Sequence, residues 1–147
     1  MAGKNINYEN NKLVQVIKNY NLSNEVILLD EIEDIPFFMN GIDLNILPSI
    51  YGEGFPNVLI ESMACGVPSI ATDVGDSKII LEDTGIILQK IDHIFLTNAI
   101  IKMIKLLSKK EYKKKLSNIC IEKVKNKYSI QIMVNKYEYL WKLEKKL

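Results

Sequence analysis

The stretch Pro56-Asn-Val-Leu-Ile-Glu-Ser-Met-Ala-Cys-Gly-Val-Pro-Ser-Ile-Ala71 decides the fold. Proline suits the first position of a helix, where the N–H it lacks would have no partner, so a helix is predicted from Pro56 through Cys65. Gly66 stops it, because glycine readily takes the left-handed conformation that closes a helix. Val67 to Ala71 then reads as a strand. Upstream, Asp43 to Leu47 is a second strand candidate, preceded by a short helix over Ile32 to Met39 that ends near Gly41. Glu25 to Leu29 is another apolar, β-rich run bounded by Asn24 and Asp30, and Tyr8 to Tyr20 is a helix with Leu13, Val14, Val16 and Ile17 on one side. Downstream, Thr72 to Ser77 is a loop and Lys78 to Leu81 a helical piece, and Gly85 turns the chain into a last strand at Ile86 to Leu88.

Strands separated by helices in this way predict right-handed βαβ units, hence an α/β fold with a Rossmann-like parallel sheet covered by helices on both faces. After residue 90 the pattern becomes purely helical: Asp92 to Ser108, Lys110 to Lys127 and Ser129 to Lys146, with Leu96, Ile100, Ile104 and Leu107 forming one apolar stripe. Residues 1–147 are read as a single domain, an α/β core over 1–90 and a helical tail over 91–147, with no repeat or low-complexity linker. Met1-Ala2-Gly3 leads almost directly into a helix. The first strand with which such a sheet normally opens is therefore expected to be missing, and the domain to be truncated at its N-terminus.

Composition narrows the partners. The 147 residues are 48% hydrophobic and carry a formal net charge of +1, enough apolar mass for one core and too little field to gather nucleic acid. Every strongly basic side chain is Lys and none is Arg, so a phosphate must be held by Lys, by backbone N–H groups or by a helix terminus. Cys65 and Cys120 lie far apart and share no metal-ligand spacing with His93, which suggests a reduced cytosolic protein. No apolar run reaches the roughly 20 residues that span a bilayer, and no secretory leader is visible.

The chemistry concentrates in Ser49-Ile-Tyr-Gly-Glu-Gly-Phe-Pro-Asn-Val-Leu-Ile-Glu61. Glu53 sits in a loop between Gly52 and Gly54, and Glu61 lies within the helix that starts near Pro56. At about 1.5 Å per residue Glu61 is about 7 Å along the axis, comparable to the reach from a pyrophosphate to its ribose. The N–H groups near Asn57 and Val58 have no helical acceptor and sit at the positive end of the macrodipole, so a pyrophosphate can dock there without Arg. A carboxylate at Glu61 suits the two hydroxyls of a ribose. Taken by spacing alone, a loop Glu and a helix Glu are most often solvated surface residues.

The surrounding residues tip that balance. Glu53-Gly-Phe-Pro-Asn-Val-Leu-Ile-Glu-Ser-Met-Ala-Cys-Gly-Val-Pro-Ser-Ile-Ala-Thr-Asp-Val-Gly75 resembles the donor-site signature of retaining GT-B glycosyltransferases of family four (group one), with its two Glu separated by seven residues. Asp83-Thr84-Gly85, Tyr128-Ser129 and Tyr137 extend the resemblance across the chain. It implies the C-terminal, donor-binding half of a GT-B fold. By the resemblance, Glu53 is the catalytic residue facing the donor sugar. Gly54, Phe55, Pro56, Asn57 and Val58 hold sugar hydroxyls and phosphate, and Glu61 binds the ribose of a UDP- or GDP-sugar. The resemblance further implies retention, with the leaving phosphate assisting deprotonation of the acceptor, no protein nucleophile, no cofactor and no metal.

The acceptor implied is a glycan or lipid-linked sugar in polysaccharide or lipopolysaccharide biosynthesis, at a cytoplasmic or peripheral inner-membrane location. The family's Arg- and Lys-bearing glycine loop and its acceptor domain are not matched here, and Asp76 and Lys78 stand where relatives often have Gly and Glu. Two alternatives follow: half of a split enzyme that needs a separate N-terminal acceptor-domain chain, or a non-catalytic remnant. Activity of the chain alone is left open. Elsewhere, His93 is expected to be a surface or capping residue, Cys65 a small core residue, and the Lys109, Lys110, Lys113, Lys114, Lys115 run a solvated face. Tyr137, Tyr139, Leu140 and Trp141 are expected to pack the last helix, with part of their surface exposed.

Overall fold

The computed structural model describes residues 1–144. It divides into two compact units, Met1–Phe38 and Met39–Leu147, so the strands of the sheet and the closing helices fall in the same unit.

In the first unit α1 runs from Asn11 to Asn19, and the Asn10 side chain accepts from the Leu13 N–H, so the helix starts three residues later than the apolar pattern suggests. The strand expected at Glu25 to Leu29 does not form. The segment instead holds the first residues of the chain: the Met1 ammonium donates to the Ile27 carbonyl at 2.6 Å, and the Leu29 N–H donates to Met1 at 3.0 Å. Gly3 donates to Asp30 at 2.8 Å, and the Asp30 carboxylate accepts from Asn5 N–H and Asn7 Nδ2. Asp30 has φ +53°, a left-handed turn that breaks the repeat a ladder needs. A β-rich composition becomes a strand only beside a regular neighbour, and the residues bonded to this segment, Met1 and Gly3, are not in strand conformation.

In the second unit β1 (Asn45–Leu47), β2 (Ser69–Thr72) and β3 (Gly85–Leu88) form a parallel sheet in the order β1-β2-β3. Leu47 lies opposite Ala71, and Thr72 opposite Leu88. The helix before the sheet, α2, is Ile35–Asn40. The crossovers are α3 (Asn57–Ala64) and α4 (Ser77–Leu81). The closing helices are α5 (His93–Leu107), α6 (Lys110–Lys127) and α7 (Ile130–Glu144); the last residues of the expected Ser129 to Lys146 helix lie outside the described residues.

Leu59 and Met63 of α3 have no exposed surface and pack with Ile70, Ala71, Ile80, Leu81, Met103, Leu116 and Cys120 in one core. Ser62, on the same side, bonds the Val67 carbonyl at 2.7 Å and the Ser69 hydroxyl at 3.0 Å, so the buried polar atoms joining α3 to β2 are paired. Gly66 has φ +75°, the expected left-handed stop, and a Cβ there would lie 2.2 Å from Ser117 Oγ, so glycine also lets α6 approach.

At the far end of α4, Lys123 is 8% exposed; its ammonium donates to the Leu81 carbonyl at 2.9 Å and pairs with Glu82 at 2.9 Å and Asp83 at 3.4 Å. Lys127 also binds Glu82, at 2.9 Å. The Lys127 and Lys123 ammonium groups together hold the Glu82 carboxyl down at about 2. Tyr137, Tyr139, Leu140 and Trp141 are exposed in part, as expected, but none of them packs against the core, and the Tyr137 and Trp141 rings meet each other at 6.2 Å. The core is already closed by α5 and α6, and Tyr128 is the last residue packed against it.

Two outcomes are expected. Leu59→Ala removes a fully buried side chain and should cost about 3 kcal/mol of unfolding free energy in urea titrations. Because the Glu82 carboxyl is depressed on folding, its contribution is present above about pH 4.5 and is lost as pH falls through about 2. The difference in urea midpoint between wild type and Glu82→Gln should therefore be full at pH 6 and vanish towards pH 2.

Candidate functional site

Parallel strands end on one side, and here that side gathers the quoted motif. The chain leaves β1 at Leu47 and runs through Pro48 to Phe55 before entering α3. Pro56, buried, is the residue that caps α3, and no side chain caps the helix. The Leu59 N–H bonds back to the Pro56 carbonyl at 3.1 Å, which leaves the Asn57 and Val58 N–H groups at the open, positive end of the helix. The helix thus starts one residue after the sequence expectation. The Val58 side chain packs against the core, so its part in a site is confined to its N–H.

Asn57 and Glu61 are both exposed and stand one turn apart on the same helix face. Glu61 therefore points away from the core and is open to a ligand laid along α3. Phe55 is half exposed, and its ring meets the edge of Tyr128 at 6.0 Å, tying the loop to the end of α6. Beside Gly52, at φ +87°, and Gly54 the space where a side chain would stand is open, as a loop that takes a ligand against its backbone requires.

Glu53 is half-buried, and its Oε1 accepts from the Ser49 hydroxyl at 2.6 Å. Thr72, buried at the end of β2, donates its hydroxyl to the Ser49 carbonyl. From below, the loop after β2 supports the same turn. The Asp76 N–H donates to the Gly54 carbonyl at 2.8 Å. Gly75, at φ +56°, comes so close that a Cβ would lie 2.4 Å from the Gly54 oxygen and 2.5 Å from the Glu53 oxygen. The Asp76 contact is made by the backbone, and Lys78 is exposed on α4. Ser49, Thr72 and Gly75 were not singled out as site residues in the sequence; only strand register brings the first two together.

The remaining candidates separate cleanly. Cys65 is half-buried, and burial, with the nearby Glu61 charge, pushes its thiol up, the wrong direction for a nucleophile. Cys120 is buried and its thiol is raised to about 11. His93 is exposed at the start of α5, where Asp92 caps the helix through Ile94 N–H at 2.7 Å. Thr84 is buried and bonds the Leu81 carbonyl and Met63 Sδ, a structural role. Among the described residues no cluster of three or more His, Cys, Asp or Glu side chains is placed to hold a metal ion, and no helix is long and apolar enough to cross a membrane.

Residues 1–106 match the family model of the glycosyl transferases group 1, and the chain belongs to that family. It is 29% identical over 131 residues to the N-acetyl-alpha-D-glucosaminyl L-malate synthase of Bacillus anthracis, a match that covers 88% of this chain and 33% of that relative. The fold is similar to that of a glycosyltransferase from Rickettsia africae ESF-5, with a TM-score of 0.87 and 24% identity over 97% of this chain and 38% of the other. It is also similar to Anabaena Alr3699/HepE, solved in complex with UDP, with a TM-score of 0.80 and 22% identity over 96% of this chain and 40% of that one. The chain thus spans about a third of the length of the curated relative.

Gly75→Ala should force the loop after β2 away from Gly54. The expected cost is about 1–3 kcal/mol for a side chain in the left-handed region. Amide hydrogen exchange should show faster exchange at Asp76, whose bond to Gly54 is broken, while amides of β2 keep their protection.

Proposed function

We propose that this chain is the donor-binding part of a retaining GT-B glycosyltransferase, and that a UDP- or GDP-sugar lies along the N-terminal end of α3. The observation that carries the reading is the uncapped start of that helix, bordered by Glu53 and the open glycines on one side and by Glu61 one turn further in. The pyrophosphate takes the Asn57 and Val58 N–H groups, a site that needs no Arg. The Glu61 carboxylate accepts from the ribose hydroxyls. Gly54, Phe55 and Pro56 shape the passage to the sugar, which Glu53 faces through the carboxylate oxygen that Ser49 leaves available.

Such a site works by positioning and by stabilising charge as the glycosidic bond to phosphate breaks. The leaving phosphate helps take the acceptor's proton, and neither a protein nucleophile nor a metal enters. The acceptor, a glycan or a lipid-linked sugar, has to reach the anomeric carbon at this edge of the sheet. An acceptor-binding domain supplies it, on the same polypeptide or a separate one, at the cytoplasmic face of the membrane. The UDP held by the Anabaena protein, which shares the fold, supports a uridine or related diphosphate as the nucleotide.

Ligand-observed NMR with a panel of UDP-, GDP- and ADP-sugars tests the reading on the full chain. One nucleotide class should bind, and Glu61→Ala should lower its affinity about tenfold or more, in line with loss of hydrogen bonds to a charged group. Absence of binding by a folded chain would overturn the proposal.

A further inference from the structure

Ser49 and Thr72 take no part in the site as the motif defines it, yet the Thr72 hydroxyl holds the Ser49 main chain and the Ser49 hydroxyl holds the Glu53 carboxylate. Ser49 lies two residues past the end of β1, and Thr72 is the last residue of β2, one beyond the last paired position of β1. Main-chain pairing of the two strands stops there. The Thr72 hydroxyl, on a side chain only 2% exposed, extends the ladder by donating to the Ser49 carbonyl. That bond fixes the backbone from which the Ser49 hydroxyl reaches Glu53 Oε1.

At 2.6 Å the last bond is in the range of a hydroxyl donating to a charged oxygen, stronger than a neutral pair. Glu53 stands between Gly52 and Gly54, where a Cβ would meet no atom within 4 Å, so neither neighbour contributes a side chain that could hold it. The loop backbone is held by Asp76 and Gly75, so what remains to be set is the direction of the carboxylate, and the Ser49 hydroxyl sets it. With Oε1 engaged, Oε2 makes no hydrogen bond among the described residues and is the oxygen left for a ligand.

We propose that Ser49 is the positioning residue for Glu53 and that Thr72 holds Ser49 in place, so that one oxygen of Glu53 is turned towards the donor sugar. The inference rests on the donor-site reading above, in which Glu53 faces the sugar and α3 the diphosphate. It assigns Ser49 to the sugar alone: its loss should weaken recognition of the transferred group and leave the nucleotide grip intact.

The test compares wild type with Ser49→Ala, Ser49→Thr and Thr72→Val, each first shown to be folded by its amide spectrum. Three-bond couplings report the Glu53 side-chain rotamer, and NMR titrations give the affinities for the nucleoside diphosphate and for the matching nucleotide-sugar. In wild type and Ser49→Thr, which keeps the hydroxyl, Glu53 should occupy one rotamer. In Ser49→Ala the couplings should average, and the ratio of sugar-nucleotide to diphosphate affinity should fall about tenfold or more, the size of one lost charge-assisted bond, while diphosphate affinity stays within about twofold. Thr72→Val should show the same change in milder form. Unaltered couplings in Ser49→Ala, an unaltered affinity ratio, or an equal loss for diphosphate and sugar-nucleotide would each overturn the proposal. A wild-type chain that binds no nucleotide would overturn the donor-site reading instead, and the couplings would still decide whether Ser49 directs Glu53.

Discussion

Burial of Leu59 and Met63 beneath the sheet is the constraint on which the rest of the second unit depends. A helix that crosses from β1 to the parallel β2 has to return along the strands, so its N-terminus comes to the side where β1 ends. Packing of two apolar side chains therefore brings the positive end of α3 to the same rim as the loop that carries Glu53. The seven-residue separation of Glu53 and Glu61 is the one-dimensional trace of that geometry: half of it is loop, half of it helix, and the turn at Pro56 joins them.

The rim is built from backbone as much as from side chains. Gly75 allows the loop after β2 to press against the carbonyls of Glu53 and Gly54, and Asp76 completes the contact through its N–H. The bond made at Asp76 is independent of its side chain. The donors offered at the start of α3 are main-chain N–H groups with the helix dipole behind them, so the phosphate site proposed above needs no Arg.

Opposite demands are met elsewhere in the same unit. Lys123 is drawn into the protein to satisfy the end of α4, and its burial is compensated by the Leu81 carbonyl and the Glu82 and Asp83 carboxylates. The aromatic residues of α7 stay outside the core that α5 and α6 close. The family match over residues 1–106 takes in the sheet and its crossover helices, and the curated relative is about three times as long as this chain.

The sequence by itself determined the elements whose signals are local. Pro56 and Gly66 bracket α3 to within a residue or two, Lys110 to Lys127 is α6 as read, and the β-α alternation from Asp43 to Leu88 implies the parallel sheet. It also singled out the stretch Glu53 to Glu61, through its resemblance to a family signature, where spacing alone would leave both carboxylates as surface residues. Tertiary structure decided what depends on distant neighbours. Glu25 to Leu29 has strand composition, but its amides at Glu25 and Val26 turn back to Leu22 and Asp30 takes a left-handed turn, so no ladder forms. The stripe of α7 has helical spacing but no core to enter. Ser49 and Thr72 are 23 residues apart, and only the register of β1 against β2 turns two ordinary hydroxyls into the support of a carboxylate. Propensity and capping act over a few residues, whereas pairing, burial and aim are properties of the chain segments that folding brings alongside.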